Sequence, residues 1–319
     1  MKNKLRYVAD ELAQNYNDRD WWHQRMESRV AGPIMGKIHG TDGVDVMEED
    51  WDNLLLLDAA RPDMFQNVVD MDQFESFETK RSVGCASPEW MENTFKGREF
   101  PDTIFISGNP WISKIAPDSF HHIYNLWTKQ FDISEQELQE ADLLTDVNLD
   151  SETVLAEELT DAALDIQKEY PNKRVIVHYF QPHAPCVGLP DGTTRDEVNY
   201  DIHPGNTMKN GVVEKETVWN AYEDNLAYAF YHANRFAEEA GGKSVFTADH
   251  AEMFGEWLWP LPLRGYGDPI GVWDPALTTV PWAVKTVGDR REITEGEIEL
   301  HSADEGRLDG HLKALGYRI

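Results

Sequence analysis

The stretch WDNLLLLDAARPDMF, residues 51–65, decides the fold class. Leu54 to Leu57 form an uninterrupted apolar run, which is typical of a strand covered by helices on both faces of a sheet. Asp58 follows the run directly, and a helix is predicted to begin near Pro62. A buried strand that leads within a few residues into a helix is the unit from which α/β proteins with parallel sheets are built.

The same alternation continues along the chain. Further strands are predicted at DTIFIS (102–107), FHHIYNLW (120–127), KRVIVHYF (173–180), SVFTA (244–248) and TTVPWAVK (278–285), with an edge or second strand at FESFETKRSVG (74–84). Helices are predicted at 5–28, 151–170 and 214–240. We therefore predict a doubly wound α/β fold with a mostly parallel central sheet flanked by helices. We expect one domain over 1–319, with an N-terminal helix and connection at 1–45 and a loop insertion at 188–213, near the functional site.

The composition limits the partners of this fold. Hydrophobic residues make up 41% of the 319 residues and aromatic residues 11%, which excludes a disordered chain. Asp and Glu number 58 against 29 Lys and Arg, a formal net charge of −29. Such a charge repels nucleic acid and anionic membranes. Because the acids are spread from Asp10 to Asp309 rather than gathered in a tail, we interpret them as adaptation of the whole surface to high salt.

The N-terminus has no apolar segment of signal-peptide length, and no stretch approaches a membrane span. These absences favour a cytoplasmic protein without a membrane span. Two cysteines, Cys85 and Cys186, are too few for a disulfide framework. The sequence makes no prediction of the oligomeric state.

Ligand-type side chains follow three of the predicted strands. Asp58 follows the leucine run, His178 and His183 lie in and after KRVIVHYF, and Asp249 with His250 follow SVFTA. Ligands collect at the carboxyl ends of the strands in such sheets, so we expect these groups at one edge. A single aspartate after a strand is more often a helix cap, but three such ends together favour a metal site. Imidazole with carboxylate suits Zn²⁺, Mn²⁺ or iron, and two ions could act together in phosphoryl transfer.

A nucleophile for such chemistry is offered by SVGCASPEW, residues 82–90. Its candidates are Ser82, Cys85 and Ser87. Ser87 is predicted to be an N-cap with Pro88 at the first helical position. A hydroxyl at a helix N-terminus is favoured by the backbone N–H groups that stabilise a developing negative charge there.

Over roughly residues 50–285 the chain resembles the alkaline phosphatase and sulfatase superfamily, particularly its small archaeal sulfatase-like members. The resemblance is carried by four motifs in order: LLLLDAARPDMF, SPEW, VHYFQPHAP and FTADHAEMFGE. The resemblance implies an alkaline-phosphatase-like fold and a role for each matching residue. It implies that Asp58, Asp249 and His250 bind a metal and that Ser87 is both the nucleophile and a ligand. It implies that His183 binds the other metal, with His178 and Gln181 as lesser candidates. It also implies that Arg61 contacts the anionic group.

Two departures from the family pattern bear on the activity. Neither Cys85 nor Ser87 lies in the Cys/Ser-x-Pro-x-Arg motif that sulfatases use to make formylglycine, which disfavours sulfate-ester hydrolysis by that route. In LRGYGDPIGVWDPALTTVPW (263–282), Asp268 stands where relatives often carry the histidine of Gly-His-Pro. An aspartate ligand there would favour Mn²⁺ or Mg²⁺ over Zn²⁺, whereas a lost ligand would mean a lost metal site.

The sequence therefore predicts a metal-dependent hydrolase or transferase that acts on a phosphate ester through a serine nucleophile. It would use one or two divalent ions, Zn²⁺ or Mn²⁺ or else Mg²⁺, on a small-molecule or glycan-linked phosphate or sulfate ester, with the loop 188–211 and Trp219 shaping the pocket. The alternatives are a degenerate member that serves as a binding or scaffold protein, a sulfatase-type hydrolase, a phosphomutase or phosphoglycan transferase of the same superfamily, and a metal-free serine hydrolase pairing Ser87 with His178 or His183. The last lacks the Gly-x-Ser-x-Gly elbow.

Overall fold

The structure is a computed structural model, and it describes residues 16–17, 19–126, 153–186 and 204–298, together with 308 and 312. The helices of these ranges are α1 Arg19–Met26, α2 Gly32–His39, α3 Pro62–Val68, α4 Ser87–Phe95, α5 Trp111–Ile115, α6 Ala156–Glu169, α7 Pro204–Lys209, α8 Lys215–Ala240 and α9 Pro275–Thr278. A π-helical turn, Glu27–Ala31, joins α1 to α2. None of the helices in these ranges has both the length and the apolar character that crossing a bilayer requires.

The strands are β1 Asn53–Leu57, β2 Ser76–Arg81, β3 Phe100–Ser107, β4 Phe120–Asn125, β5 Arg174–Tyr179, β6 Gly242–Thr247, β7 Met253–Trp257, β8 Arg264–Gly267 and β9 Thr279–Val287. Seven of them form one sheet in the order β2-β9-β6-β1-β5-β3-β4, while β7 and β8 form a separate pair. From β6 through β4 the neighbours are parallel, and β9 runs antiparallel to both β6 and β2. The predicted mostly parallel α/β sheet is thus confirmed.

The leucine run of β1 explains why helices cover both faces of the sheet. All five residues of β1 are buried. Because side chains alternate across a strand, Leu55 and Leu57 belong to the core beneath α3, α6 and α8, whereas Leu54 and Leu56 belong to the core beneath α4 and α5. Each fully buried leucine contributes about 1.5–3 kcal/mol, so β1 anchors both layers.

Three regions differ from the prediction or extend it. Within the predicted helix 5–28, residues 16–17 form a turn and the helix begins at Arg19, while residues 1–15 and 18 lie outside the described residues. Most of the predicted loop 188–213 does so too, but its end forms the helix α7. The polar stretch after His250 continues into the hairpin β7–β8, which was not predicted because Gly255, at φ +92°, and a register shift beside it interrupt the alternation of apolar and polar residues.

The parallel strands bring the predicted ligands to one edge. The loops after β6, β1, β5 and β3 all leave the sheet at its carboxyl end, since these four strands are adjacent and run in the same direction. Ala59, directly after Asp58, has the left-handed conformation at φ 60°, which costs a residue with a side chain about 1–2 kcal/mol. Its N–H donates to Oδ1 of Asp249 at 3.2 Å, and this bond holds the loops after β1 and β6 together.

Candidate functional site

Ser87 is the first residue of α4 and is completely buried. The N-cap is Ala86, so the predicted capping role of Ser87 is displaced by one residue and its hydroxyl makes no capping hydrogen bond. The turn before the helix is tight, since a Cβ at Gly84 would collide with the backbone of Trp90. As a result, the Ser87 side chain points away from its own helix and toward the strand ends.

The Ser87 hydroxyl contacts groups from two strand ends. Its Oγ donates to Oδ2 of Asp249 at 2.6 Å and lies 3.2 Å from Oδ2 of Asp58 and 3.4 Å from Nε2 of His250. All four side chains are completely buried. We call Asp58, Ser87, Asp249 and His250 the Ser87 cluster.

The other two nucleophile candidates have different surroundings. The hydroxyl of Ser82 donates to the backbone carbonyl of Asp249. Burial, reinforced by the carboxylate of Glu89, raises the pKa of the Cys85 thiol far above its usual range, so it stays protonated. Of the three candidates, Ser87 has the hydroxyl that the structure places against the metal-type carboxylates.

Asn109 also belongs to this site, although the sequence analysis did not select it. It lies two residues beyond β3, and its Nδ2 is 2.9 Å from Oδ2 of Asp58 and 3.2 Å from Oγ of Ser87. Its Oδ1 accepts from the N–H of Trp111, which fixes the orientation of the amide. Asp58 directly follows its strand, whereas Asn109 is separated from β3 by Gly108, so the rule that selects Asp58 does not reach Asn109.

The imidazole of His250 is oriented as a metal ligand would be. Its Nδ1 lies 3.0 Å from the carbonyl of Ala251, which sets a proton on Nδ1 and leaves Nε2 to face the cluster. Nε2 is 3.5 Å from Oδ1 of Asp58 and 3.6 Å from Oδ2 of Asp249. Ligands bound to one zinc ion at about 2.0–2.1 Å lie roughly 3.3 Å from one another, so these separations fit a single ion.

A second cluster lies beside the first and consists of His183, Glu252 and Asp268. One ligand atom from each lies within 4.8 Å of the others. Nδ1 of His183 lies 2.8 Å from the carbonyl of Ala184, which again leaves Nε2 to face the cluster. Asp268 connects the two clusters, since its Oδ2 lies 3.9 Å from Nε2 of His250. We call these three residues the Glu252 cluster.

The hairpin β7–β8 builds the Glu252 cluster. Glu252 directly precedes β7 and Asp268 directly follows β8, and the pairing of Met253 with Gly267 brings the two acids together. Glu252 is only 4% exposed. The sequence pattern did not identify Glu252 as a ligand.

The buried charges perturb one another strongly. Burial raises the pKa of Glu252, and the negative charge of Asp268 raises it further. Burial would lower the pKa of His250, but the carboxylates of Asp249, Asp268 and Asp58 raise it to about 9. Without a cation, therefore, the site takes up protons to balance its acids.

Asp58 shows the opposite shift. Burial alone would raise its pKa, but contact with His178, followed by the charges of His183 and His250, holds the pKa of Asp58 below its usual range. Asp58 thus remains a carboxylate inside the protein. A buried carboxylate of this kind requires a positive partner.

Unsatisfied carboxylate oxygens show that the residues of the two clusters fit divalent metal ions. Two buried carboxylate oxygens, Oδ1 of Asp58 and Oε2 of Glu252, have no hydrogen-bond partner among the described residues. An unsatisfied buried carboxylate oxygen is costly unless a cation binds it. The groups Asp58, His178, Asp249 and His183, Glu252, Asp268 each have the separations required to hold an ion. The donor set of carboxylates and imidazoles is the one that Zn²⁺ and Mn²⁺ accept.

Arg61, for which the resemblance implies contact with the anionic group, makes several contacts within the protein. Its guanidinium pairs with Asp63 at 2.8 Å and Glu256 at 2.9 Å and donates to the carbonyl of Glu252 at 2.8 Å. It also stacks 5.1 Å from the ring centre of Trp219. Arg61 therefore ties α3 and α8 to the base of β7. Gln181 is buried as well, and its Nε2 donates to the carbonyl of Val154.

Comparisons with known proteins add structural neighbours only. No protein-family model matches the chain, and no curated protein matches it. The soluble domain of lipooligosaccharide phosphoethanolamine transferase A from Neisseria meningitidis is 12% identical, with a TM-score of 0.44 over 73% of this chain and 75% of that chain. The periplasmic domain of phosphoethanolamine transferase EptC from Campylobacter jejuni is 15% identical, with a TM-score of 0.42 over 81% and 80%. A phosphonate monoester hydrolase from Silicibacter pomeroyi is 15% identical, with a TM-score of 0.38 over 83% and 73%. At these values the likeness assigns no activity to the chain.

Proposed function

We propose that the protein is a metal-dependent hydrolase or transferase of the alkaline phosphatase superfamily that acts on a phosphate ester, with Ser87 as its nucleophile. One observation carries this proposal. Ser87 is the first residue of α4, and its fully buried hydroxyl lies within 3.4 Å of the carboxylates of Asp58 and Asp249 and of Nε2 of His250. These contacts suit a nucleophile and metal ligand rather than a helix cap.

Each cluster would hold one divalent ion. Asp58, Ser87, Asp249 and His250, which contact one another, would bind the first. His183, Glu252 and Asp268 would bind the second. Bound ions would supply Lewis-acid stabilisation of the reacting oxygens and would lower the pKa of the Ser87 hydroxyl. In the Glu252 cluster, Asp268 supplies a carboxylate where relatives often carry a histidine, and this harder donor favours Mn²⁺ or Mg²⁺ over Zn²⁺.

The chain's own residues orient the nucleophile and receive its proton. The Ser87 hydroxyl donates to Oδ2 of Asp249, so its proton has an acceptor and a lone pair of Oγ stays available for attack. Nδ2 of Asn109, 3.2 Å from Oγ, places a donor beside the phosphoryl oxygens of a bound ester. The N-terminus of the nine-residue helix α4 adds its dipole to this site.

The reaction would proceed in two displacements. Oγ of Ser87 forms a bond to phosphorus while the bond to the ester oxygen breaks, and the released alcohol takes up a proton. Water, or the hydroxyl of an acceptor, then attacks the seryl phosphate and restores the Ser87 hydroxyl. Transfer and hydrolysis differ only in this second nucleophile.

The wider setting also belongs to this proposal. The excess of acids suits a halophilic archaeal sulfatase-like member that works in a salt-rich cytoplasm. The absence of the formylglycine motif supports phosphate esters rather than sulfate esters as substrates.

The test is a panel of aryl phosphate monoesters, phosphodiesters and sulfates in high salt, with Mn²⁺ or Zn²⁺ added and with chelator as the blank. We expect metal-dependent release of the aryl alcohol from a phosphate ester, and its loss in Ser87→Ala. Ser244→Ala is the matched control, because Ser244 is equally buried, accepts a hydrogen bond from Asn53 at 2.9 Å and lies on β6 away from Asp249. Full activity in Ser87→Ala, or turnover of sulfates alone, would overturn the proposal.

A further inference from the structure

His178 lies beside the Ser87 cluster and belongs to none of its hydrogen bonds. It is the penultimate residue of β5, opposite Leu56 of β1, and it is completely buried. Its Nε2 lies 3.3 Å from Oδ2 of Asp58 and 3.7 Å from Oδ2 of Asp249. Either a metal ion or a proton on Nε2 would account for an imidazole at these distances.

The other ring nitrogen distinguishes the two cases. A histidine that binds metal through one nitrogen almost always donates the N–H of the other to an oxygen. His183 and His250 follow this rule through the carbonyls of Ala184 and Ala251. Nδ1 of His178 is buried without a hydrogen-bond partner among the described residues, and the nearby rings are those of Trp90 and Phe105.

One of the two ring nitrogens of His178 is therefore the favourable position for a proton. On Nδ1 it would be a buried donor without an acceptor, which is costly. On Nε2 it faces two carboxylate oxygens at once. Like Nδ1, Nε2 makes no full hydrogen bond among the described residues, but of the two nitrogens Nε2 is the one that lies beside carboxylate oxygens, at 3.3 and 3.7 Å.

We propose that His178 is a positioning residue that keeps its proton on Nε2 and directs the carboxylates of Asp58 and Asp249, and that it is not a metal ligand. Oδ2 of Asp58 already accepts from Nδ2 of Asn109 at 2.9 Å and lies 3.2 Å from Oγ of Ser87. With His178 added, the donors gather on Oδ2. This leaves Oδ1, which has no partner among the described residues, to face Nε2 of His250 and a cation.

The inference rests on the proposed metal-binding function, and one spectroscopic experiment separates the two. The protein labelled with ¹⁵N-histidine is loaded with ¹¹³Cd²⁺ in place of its native metal. We expect cadmium coupling at Nε2 of His250 and His183, and at His178 a directly bonded hydrogen on Nε2 without cadmium coupling. Coupling at His178 would overturn the inference. If no histidine couples, the metal-binding function fails, while the position of the proton on His178 can still be read in the metal-free protein.

Two variants of similar size supply the second readout. His178→Gln keeps an N–H donor at the position of Nε2, whereas His178→Leu removes it. We expect His178→Leu to bind as many Mn²⁺ or Zn²⁺ ions as the wild type but about 10–100-fold more weakly, and His178→Gln to stay within a few fold of the wild type. Loss of one whole metal equivalent in both variants would identify a ligand and contradict the inference. The cadmium spectrum of the wild type decides the matter if His178→Leu fails to fold.

Discussion

Replacing Glu252 by glutamine should stabilise the metal-free protein and weaken its response to metal. The two side chains have nearly the same shape, but only the carboxylate carries a charge into a site where it is 4% exposed and where Oε2 has no hydrogen-bond partner among the described residues. Burial and the negative charge of Asp268 raise the pKa of Glu252 above its ordinary value of 4.5. The unfolded chain therefore ionises this group at a lower pH than the folded protein does.

The sign and size of the effect follow from this difference. Below pH 4.5 the carboxyl is neutral in both states, and the substitution should change little. As the pH rises above 4.5, the wild type loses stability because folding must either take up a proton or bury the charge of Glu252. The cost is about 1.4 kcal/mol for each pH unit, hence at most about 3 kcal/mol at pH 7. We expect metal-free Glu252→Gln to gain about 1–3 kcal/mol at pH 7, or roughly 2–10 °C in melting temperature.

Metal should reverse the ranking of the two proteins. An ion that binds the folded state at a thousandfold excess over its dissociation constant stabilises the wild type by about 4 kcal/mol, and the variant, with one carboxylate fewer, gains less. Thermal unfolding at pH 4.5 and pH 7, with chelator and with Mn²⁺, measures all four conditions. Glu78→Gln, at an exposed position of β2, is the control and should be neutral. If metal-free Glu252→Gln is less stable than the wild type at pH 7, or gains as much from Mn²⁺, Glu252 is not a buried ligand.

Three further substitutions or conditions test separate parts of the account. Since the pKa of His250 is raised to about 9, metal binding must displace its proton, and metal affinity should fall about tenfold per pH unit below pH 9. Titration calorimetry in buffers of different ionisation enthalpy measures the released protons, and a pH-independent affinity would speak against His250 as a ligand. Arg61→Met should cost about 1–3 kcal/mol of stability, because it breaks the ion pairs with Asp63 and Glu256. The metal content, measured by mass spectrometry, should stay unchanged. Loss of metal or of activity with intact stability would instead indicate that Arg61 acts in the site by binding the ester. Asp268→His should shift preference from Mn²⁺ toward Zn²⁺ in competition experiments, and an unchanged preference would mean that Asp268 does not bind metal.

The sequence could predict those parts of the site that local patterns determine. An apolar run followed by Asp58 or by the pair Asp249 and His250 identifies the end of a buried strand, and parallel strands bring such ends together. The Ser-Pro-Glu signal at Ser87 likewise located the start of α4 to within one residue. These features depend on a few neighbouring residues, which is why single-sequence reasoning found them.

The remainder depends on contacts between distant segments. Glu252 lies beside Asp268 because β7 and β8 pair as a hairpin. The sequence pattern does not reveal this hairpin, because Gly255 interrupts the alternation of apolar and polar residues. The guanidinium of Arg61 pairs with Glu256, which lies 195 residues further along the chain. Asn109 lies two residues beyond β3, so only a search extended past the first residue after each strand would have included it.

The phosphorylation state of Ser87 during turnover tests the central claim most directly. The protein is loaded with Mn²⁺ or Zn²⁺, mixed with an aryl phosphate ester in high salt and quenched with acid, and the peptide that contains Ser87 is analysed by mass spectrometry. The account predicts one phosphoryl group on Ser87, absent with chelator and absent in Asp249→Asn. Phosphate release in the complete absence of a phosphorylated serine, or a phosphoryl group on another residue of the site, would contradict it.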